Sequence, residues 1–390
     1  MNRAMSRSLS SSGAVRLAFA LCMITTAVNL PAPLYNAIAA RDGLGVGATT
    51  LAFACYVAGI MPVLLGLNGL AERVGRKALI ITALLLSLCA TSLLLIAPSL
   101  LALGAARFLL GVGTALMSAV APAYMQSLLS GEDSRVATNY VTASTALGFG
   151  LGAAVTSLFL LHTPSISPPS LWLYLVAASL ALVLAMTLKE NPPSTMKSPM
   201  LRLPRFPKGA LPFGLAIMLA WAVVGLVIAV LPSALRQHEL TAWSGFATFG
   251  ICSCGVLFQP WARKLSPYRA TLLGLVILPI AYGLVAWGAV QGYLVAVLLG
   301  AVVASSACYG FIYLGGLSGV LALAGASSTQ ASAGFFLLAY LGFSLPVMTT
   351  GVLIDYLGHA AALTLFGAIL LGAVIAVTGL LVKSIRLLFD

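Results

Sequence analysis

Long apolar runs follow one another along the whole chain, each separated from the next by a few polar residues. A helix needs about 20 mostly apolar residues to cross the hydrocarbon core of a bilayer, and the pattern meets that length twelve times. The predicted spans are 16–38, 49–68, 78–97, 100–127, 138–161, 171–188, 211–233, 243–260, 270–289, 293–316, 332–353 and 361–383. A membrane barrel would show shorter segments of alternating polarity, so the spans are read as helices. The expected class is an all-α integral membrane protein with twelve transmembrane helices. The basic N-terminus ahead of "LAFALCMITTAV" has the look of a signal peptide. Its apolar stretch runs on beyond ordinary signal length, so an uncleaved first span is expected.

Composition agrees with this reading: 61% of the residues are hydrophobic and the mean hydropathy is +1.08, against roughly 45–50% apolar content in soluble domains. Lys and Arg in short loops stay on the cytoplasmic side. If both termini are cytoplasmic, 17 of the 20 basic residues fall on that side, leaving Arg41 and Arg236 outside and Arg107 within a span. The net charge of +12 therefore reports orientation in a plasma (inner) membrane and is not a nucleic-acid signal. The six cysteines all fall inside spans, where small packing residues are expected; Cys252 and Cys254 also have the form of a redox or metal pair.

The segment "KENPPSTMKSPMLRLPRFPKG", 189 to 209, carries five prolines among basic residues and cannot form a regular helix. It divides the spans six and six, giving an expected organisation of 1–188, a cytoplasmic linker at 189–210, and 211–390. The halves echo each other. "AERVGRK" follows the second span and "ARKLSPYR" follows the eighth, so Arg263 corresponds to Arg73 about 190 residues on. A six-plus-six duplication is what an internally repeated transporter shows.

"GLAERVGRK", residues 69 to 77, is dense in charge for a chain in which charged residues are 7%. Gly75 allows a tight turn, Arg76 and Lys77 hold the loop in the cytosol, and Glu72 is placed to pair with an arginine or to sit at a helix N-terminus. Together with Arg73 and Arg263 these are candidate gating residues.

The loop resembles the signature G-x-L-[GAS]-[DN]-[RK]-x-G-R-[RK] of the major facilitator superfamily. Asn68 stands in place of the first glycine and Glu72 in place of the usual aspartate. "RFLLGVG", with Arg107, Gly111 and Gly113, resembles the fourth-span signature R-x-x-x-G-x-G of that family. "ALGFGLGAA" is similar to its antiporter element G-P-x-x-G-G, keeping Gly148 and Gly152, with Phe149 where proline stands and Ala153 where glycine stands. The resemblance implies two six-helix bundles and secondary transport. The short loops look most like the bacterial drug and metabolite efflux branch, and uptake of a small organic anion is the other direction the motifs allow.

A translocation site in such an architecture lies near the midplane between the halves, at interrupted helices. Pro31 and Pro33 break the first span just after Asn29. Asn29 and Arg107 lie at similar depths, about 12 and 9 Å from the outer ends of their spans at 1.5 Å per residue. An arginine inside a span costs about 2.5–3.5 kcal/mol; Arg107 either serves the pathway or reaches outward or to backbone carbonyls. Tyr35, Trp221, Tyr309, Tyr313 and Tyr340 are further lining candidates, with packing or interfacial anchoring as the other reading of each aromatic. All eight acids and all three histidines fall outside the central spans. A proton carrier is therefore sought among outer acids, Asp42 and Asp355, or on the substrate itself. The expected substrate is neutral, zwitterionic or anionic, and a lipophilic cation fits worst.

No cluster of catalytic or metal-ligating type occupies the central spans, so neither an enzyme, a metal site nor a cofactor is expected. A duplicated twelve-span chain is expected to act as a monomer in lipid rather than as a ring-shaped channel. A non-transporting receptor is the remaining alternative of another class.

Overall fold

The computed structural model describes residues 2–66, 69–129, 133–189 and 203–389. Asn68, Glu132, Glu190, Asp390 and most of the proline-rich segment lie outside the described residues. Among the described residues twelve helices are long and apolar enough to cross a membrane: α1 (Ser12–Arg41), α2 (Val46–Gly66), α3 (Arg76–Ile96), α4 (Leu100–Leu128), α5 (Ser134–Leu160), α6 (Pro169–Met186), α7 (Leu211–Arg236), α8 (Thr241–Ala262), α9 (Pro267–Gln291), α10 (Leu294–Ala324), α11 (Ser328–Leu357) and α12 (His359–Ser384). Each coincides with a predicted span. The largest difference is in α10, which continues to Ala324 through "LSGVLALA".

Burial sorts the helices. In α1 and α7, 89% and 83% of the spanning window is enclosed by protein, against 33% in α6 and 22% in α12, so the first helix of each set of six is central and the last is peripheral. The peripheral faces are apolar because lipid contacts them. On α6, Trp172, Leu173, Val176, Leu180 and Val183 are exposed at helical spacing. At the end of α9, Trp287 stacks on Tyr293 with ring centroids 5.0 Å apart, the kind of amphipathic pair that settles at a membrane interface.

Without a hydrophobic driving force between helices in lipid, close approach is made by small residues. A Cβ on Gly111 of α4 would run into the Tyr56 carbonyl of α2, and one on Gly59 of α2 into the Phe108 carbonyl of α4. The glycines of "ALGFGLGAA" split their work: Gly148 and Gly152 lie against Cys22–Leu30 of α1, and Gly150 lies against Phe249 and Ser253 of α8. The segment thus joins α5 to its own set of six and to the other.

Three spans are interrupted. α1 ends its regular helix at Asn29 and resumes at Tyr35 after a 3-10 turn at Ala32–Leu34, as the prolines predict. α8 tightens into a 3-10 segment at Cys254–Phe258. α10 widens into a π-helix at Ser306–Ile312 packed beside it, a feature not visible in the hydropathy pattern.

Gly111→Val should cost about 1–3 kcal/mol by overpacking the α2–α4 contact. Gly372→Ala on α12, where nothing lies within 4 Å of the added carbon, should be neutral or slightly stabilising. Thermal unfolding of the two purified variants in detergent checks the contrast.

Candidate functional site

The α2–α4 backbone contact at Gly59 and Gly111 sets the position of Arg107 one turn away. Its side chain is fully enclosed, with 0% exposure. Its Cζ lies 4.5 Å from the ring centre of Phe53 and 4.6 Å from that of Tyr56, both on α2. Nη1 donates to the Val28 carbonyl of α1 at 2.7 Å. That carbonyl belongs to the last turn before the break at Asn29, where helix carbonyls lose their partners. Nε and Nη2 have no hydrogen-bond partner among the described residues. The guanidinium therefore stays enclosed and meets no carboxylate among the described residues; two π faces and one carbonyl hold it.

Asn29 is adjacent and 1% exposed. Its Nδ2 donates to the Phe149 carbonyl of α5 at 2.8 Å and lies 3.8 Å from Cys252 Sγ of α8, while Oδ1 has no partner. Tyr35, just past the break, is buried beside Phe53 with ring centroids 6.4 Å apart, and its hydroxyl is unpartnered. From the second set of six, Phe343 of α11 packs on Phe53 (4.8 Å) and Tyr56 (6.1 Å). Phe343 in turn meets Trp221 of α7 (5.9 Å), which contacts Tyr340 (5.0 Å) and Tyr309 (6.4 Å). A continuous aromatic path thus leads from Arg107 across the seam to Trp221, whose Nε1 is buried and unpartnered. Tyr313 stands one turn along α10, in a separate group with Phe335 and Phe336.

The π-helix is what presents Tyr309. Ser305 Oγ donates to the Ile251 carbonyl of α8 and Cys308 Sγ to the Ala220 carbonyl of α7, while Gly255 leaves room for the Tyr309 Cβ. π-turns of this kind recur at functional sites. Five polar atoms at this seam are buried without partners: Arg107 Nε and Nη2, Asn29 Oδ1, Tyr35 OH and Trp221 Nε1. Each such group costs about 1–3 kcal/mol, and all five lie at this one seam. Phe53, Tyr56 and Phe343 were not among the sequence candidates. Their signal was present: Phe53 and Tyr56 are spaced to share a helix face, and Phe343 is one turn beyond Tyr340.

At the inner loop, Gly75 turns the chain at φ 93° between a short helix, Leu70–Val74, and α3. Arg76 donates to the Ala123 carbonyl near the end of α4 at 3.1 Å. Arg73 and Arg263 are exposed, while Glu72 and Lys77 are half-buried. At the other end of the helices, Asp42 accepts from the Leu100 N–H at 2.6 Å, closing the first turn of α4 in its own half. Asp355 on α11 instead crosses the seam: its two oxygens accept from the Val46 and Gly47 N–H groups of α2, each at 2.8 Å. On the other seam Ser157 Oγ accepts from the Gly245 N–H at 2.9 Å, and Ser253 Oγ donates to the Ala146 carbonyl at 2.7 Å. These bonds join the halves at the end that carries Asp42 and Asp355 and near mid-depth.

Known proteins share this architecture. The structure of the nucleoside transporter NupG superposes with a TM-score of 0.73 at 12% identity, covering 95% of this chain and 98% of that one. A peptide transporter POT gives 0.74 at 15% identity over 98% of this chain and 99% of its own. A POT family transporter in complex with 5-aminolevulinic acid gives 0.70 at 14% identity, covering 97% and 96%. At these identities the likeness establishes the fold. No curated protein matches the sequence. The Major Facilitator Superfamily model matches residues 17–345, and with most of the twelve-helix chain inside that match, the protein belongs to the Major Facilitator Superfamily.

Proposed function

We propose that the protein is a secondary transporter that exports a small organic drug or metabolite by alternating access, with residues 1–188 and 211–390 as the two moving bundles and 189–210 as their cytoplasmic linker. It acts as a monomer in the plasma (inner) membrane with both termini in the cytoplasm. The observation that carries the reading is the set of unpartnered buried groups around Arg107, Asn29, Tyr35 and Trp221 at the seam between the halves. A solute with an acceptor or anionic group for the guanidinium and a flat apolar body for the aromatic path satisfies them together. Neutral, zwitterionic and anionic solutes fit, and the charge of Arg107 disfavours cations.

The inner loop residues Glu72, Arg73, Gly75, Arg76 and Lys77, with Arg263 in the second half, act in this scheme as the inner gate, and Tyr309, Tyr313 and Tyr340 line the path. Of the two outer acids expected as proton carriers, Asp355 serves the contact between the halves, which leaves Asp42 and the solute itself to carry the coupling proton. Uptake of an organic anion is the second reading. It is favoured by the place of Arg107 beneath the contact of Phe53 with Phe343, which would open toward the outside when α2 and α11 part.

Comparing metabolites retained by cells with and without the protein gives direction and solute class together, and flux in proteoliposomes separates a transporter from a receptor. In those vesicles Arg107→Met and Arg107→Lys should each lower transport at least tenfold; normal transport by both would remove the guanidinium from the recognition scheme. Tyr35→Phe removes an unpartnered buried hydroxyl at almost constant volume, so thermal stability should be unchanged or higher by about 1 kcal/mol while transport falls. Loss of stability would show that the hydroxyl serves the fold instead.

A further inference from the structure

α2 begins within "GLGVG", residues 43 to 47, with Val46 and Gly47 in its first turn. Gly43 adopts φ 69° and needs glycine for that reason. Gly45 and Gly47 do not, and their missing side chains are used by another residue. A Cβ on Gly45 would stand 2.5 Å from Asp355 Oδ1, and one on Gly47 would stand 2.8 Å from Oδ2. Each would displace the carboxylate from the two N–H groups it accepts. The start of α2 is thus shaped as a seat for a carboxylate that the other half supplies, at a helix end where free N–H groups and the helix dipole favour negative charge.

We propose that Asp355 is the outer latch of the transport cycle: a positioning residue that holds the outer side closed by docking on α2, and not a carrier of protons. This rests on the reading that the two halves move against each other. The donors lie in one half and the acceptor in the other, so the contact must break whenever α2 and α11 part. Asp42 makes the same kind of bond to Leu100 within one half, and nothing in a rocking motion changes it. Below Asp355 the seam continues inward through Thr50 against Gly351 and Phe53 against Phe343.

A coupling carboxylate must face each side of the membrane in turn. Asp355 is exposed and opens into an outer pocket of about 420 Å³, sealed from the inner side by those two contacts. From α7 and α12 that pocket receives Arg236 and His359, and the lining from α1 and α2 holds no titratable group. His359 is itself engaged, with Nε2 3.0 Å from Ser233 Oγ and Nδ1 3.0 Å from Gln237 Nε2. Asp355 therefore meets the outer solution whether the latch is shut or open.

The test uses the full chain in vesicles, in a background with the native cysteines replaced. A membrane-impermeant maleimide added outside probes single cysteines at two buried positions: Thr50→Cys, beneath the latch, and Ser157→Cys, on the opposite seam between α5 and α8. Asp355→Asn keeps one acceptor oxygen and loses the charge; Gly47→Ala keeps the charge and blocks the seat. Both should raise labelling at both positions about fivefold, the order expected for a helix-end carboxylate with two charge-assisted bonds. A rise at Thr50→Cys alone would reduce the contact to a local cap on α2 and overturn the proposal, as would no rise at either. Gly47→Ala carries the test should Asp355→Asn fail to fold. Labelling needs no substrate, so absence of flux would remove the transport reading while leaving this result to stand or fall separately.

Discussion

A guanidinium enclosed in an apolar bundle must find its compensation in the atoms it touches. Removing a charge from water costs several kcal/mol even after relaxation, and no carboxylate among the described residues pairs with Arg107. What it has is the Val28 carbonyl, released by the break in α1, and the faces of Phe53 and Tyr56. Each partner depends on a separate backbone feature. The carbonyl is free because α1 stops at Asn29, and the rings are near because Gly59 and Gly111 let α2 and α4 touch. Disturb either feature and the charge is stranded, so the geometry of three helices is tied to one side chain.

The same side chain links the fold to the seam. Phe53 and Tyr56 turn their remaining edges to Phe343, and through it to Trp221 and its tyrosine neighbours. A contact between the halves is therefore continuous with the environment of the charge. In the proposed cycle, parting α2 from α11 would change how well the guanidinium is screened, and so couple conformation to affinity for an acceptor group. The central burial of α1 and α7, and the lipid-facing placement of α6 and α12, give each half a similar inner element with which to present such contacts.

Much of this was legible in the sequence. Twelve apolar runs of sufficient length fix twelve helices because lipid offers no other way to satisfy the backbone, and Pro31 with Pro33 announces the break in α1. Asn29, Tyr35, Arg107, Trp221, Tyr309 and Tyr340 were recognisable as polar or amphipathic groups in the wrong solvent, and they converge on one seam. The rest was hidden for physical reasons. Hydropathy does not distinguish a phenylalanine facing lipid from one covering an arginine, so nothing in the pattern singles out Phe53 and Phe343. Asp355 read as a loop acid because its partners are backbone N–H groups about 310 residues away, which no local pattern encodes. The π-turn in α10 leaves composition unchanged and follows from packing against α8.

That π-turn also carries one residue more than an α-helix would use over the same rise. In a regular helix each residue advances the chain by about 100°. Drawing the surplus back into α-geometry would swing the remainder of α10, from Tyr313 onward, through roughly that angle relative to Cys308. The surplus residue at Ser306–Ile312 thus sets the facing of everything on α10 beyond it, separately from the tilt of the half to which it belongs.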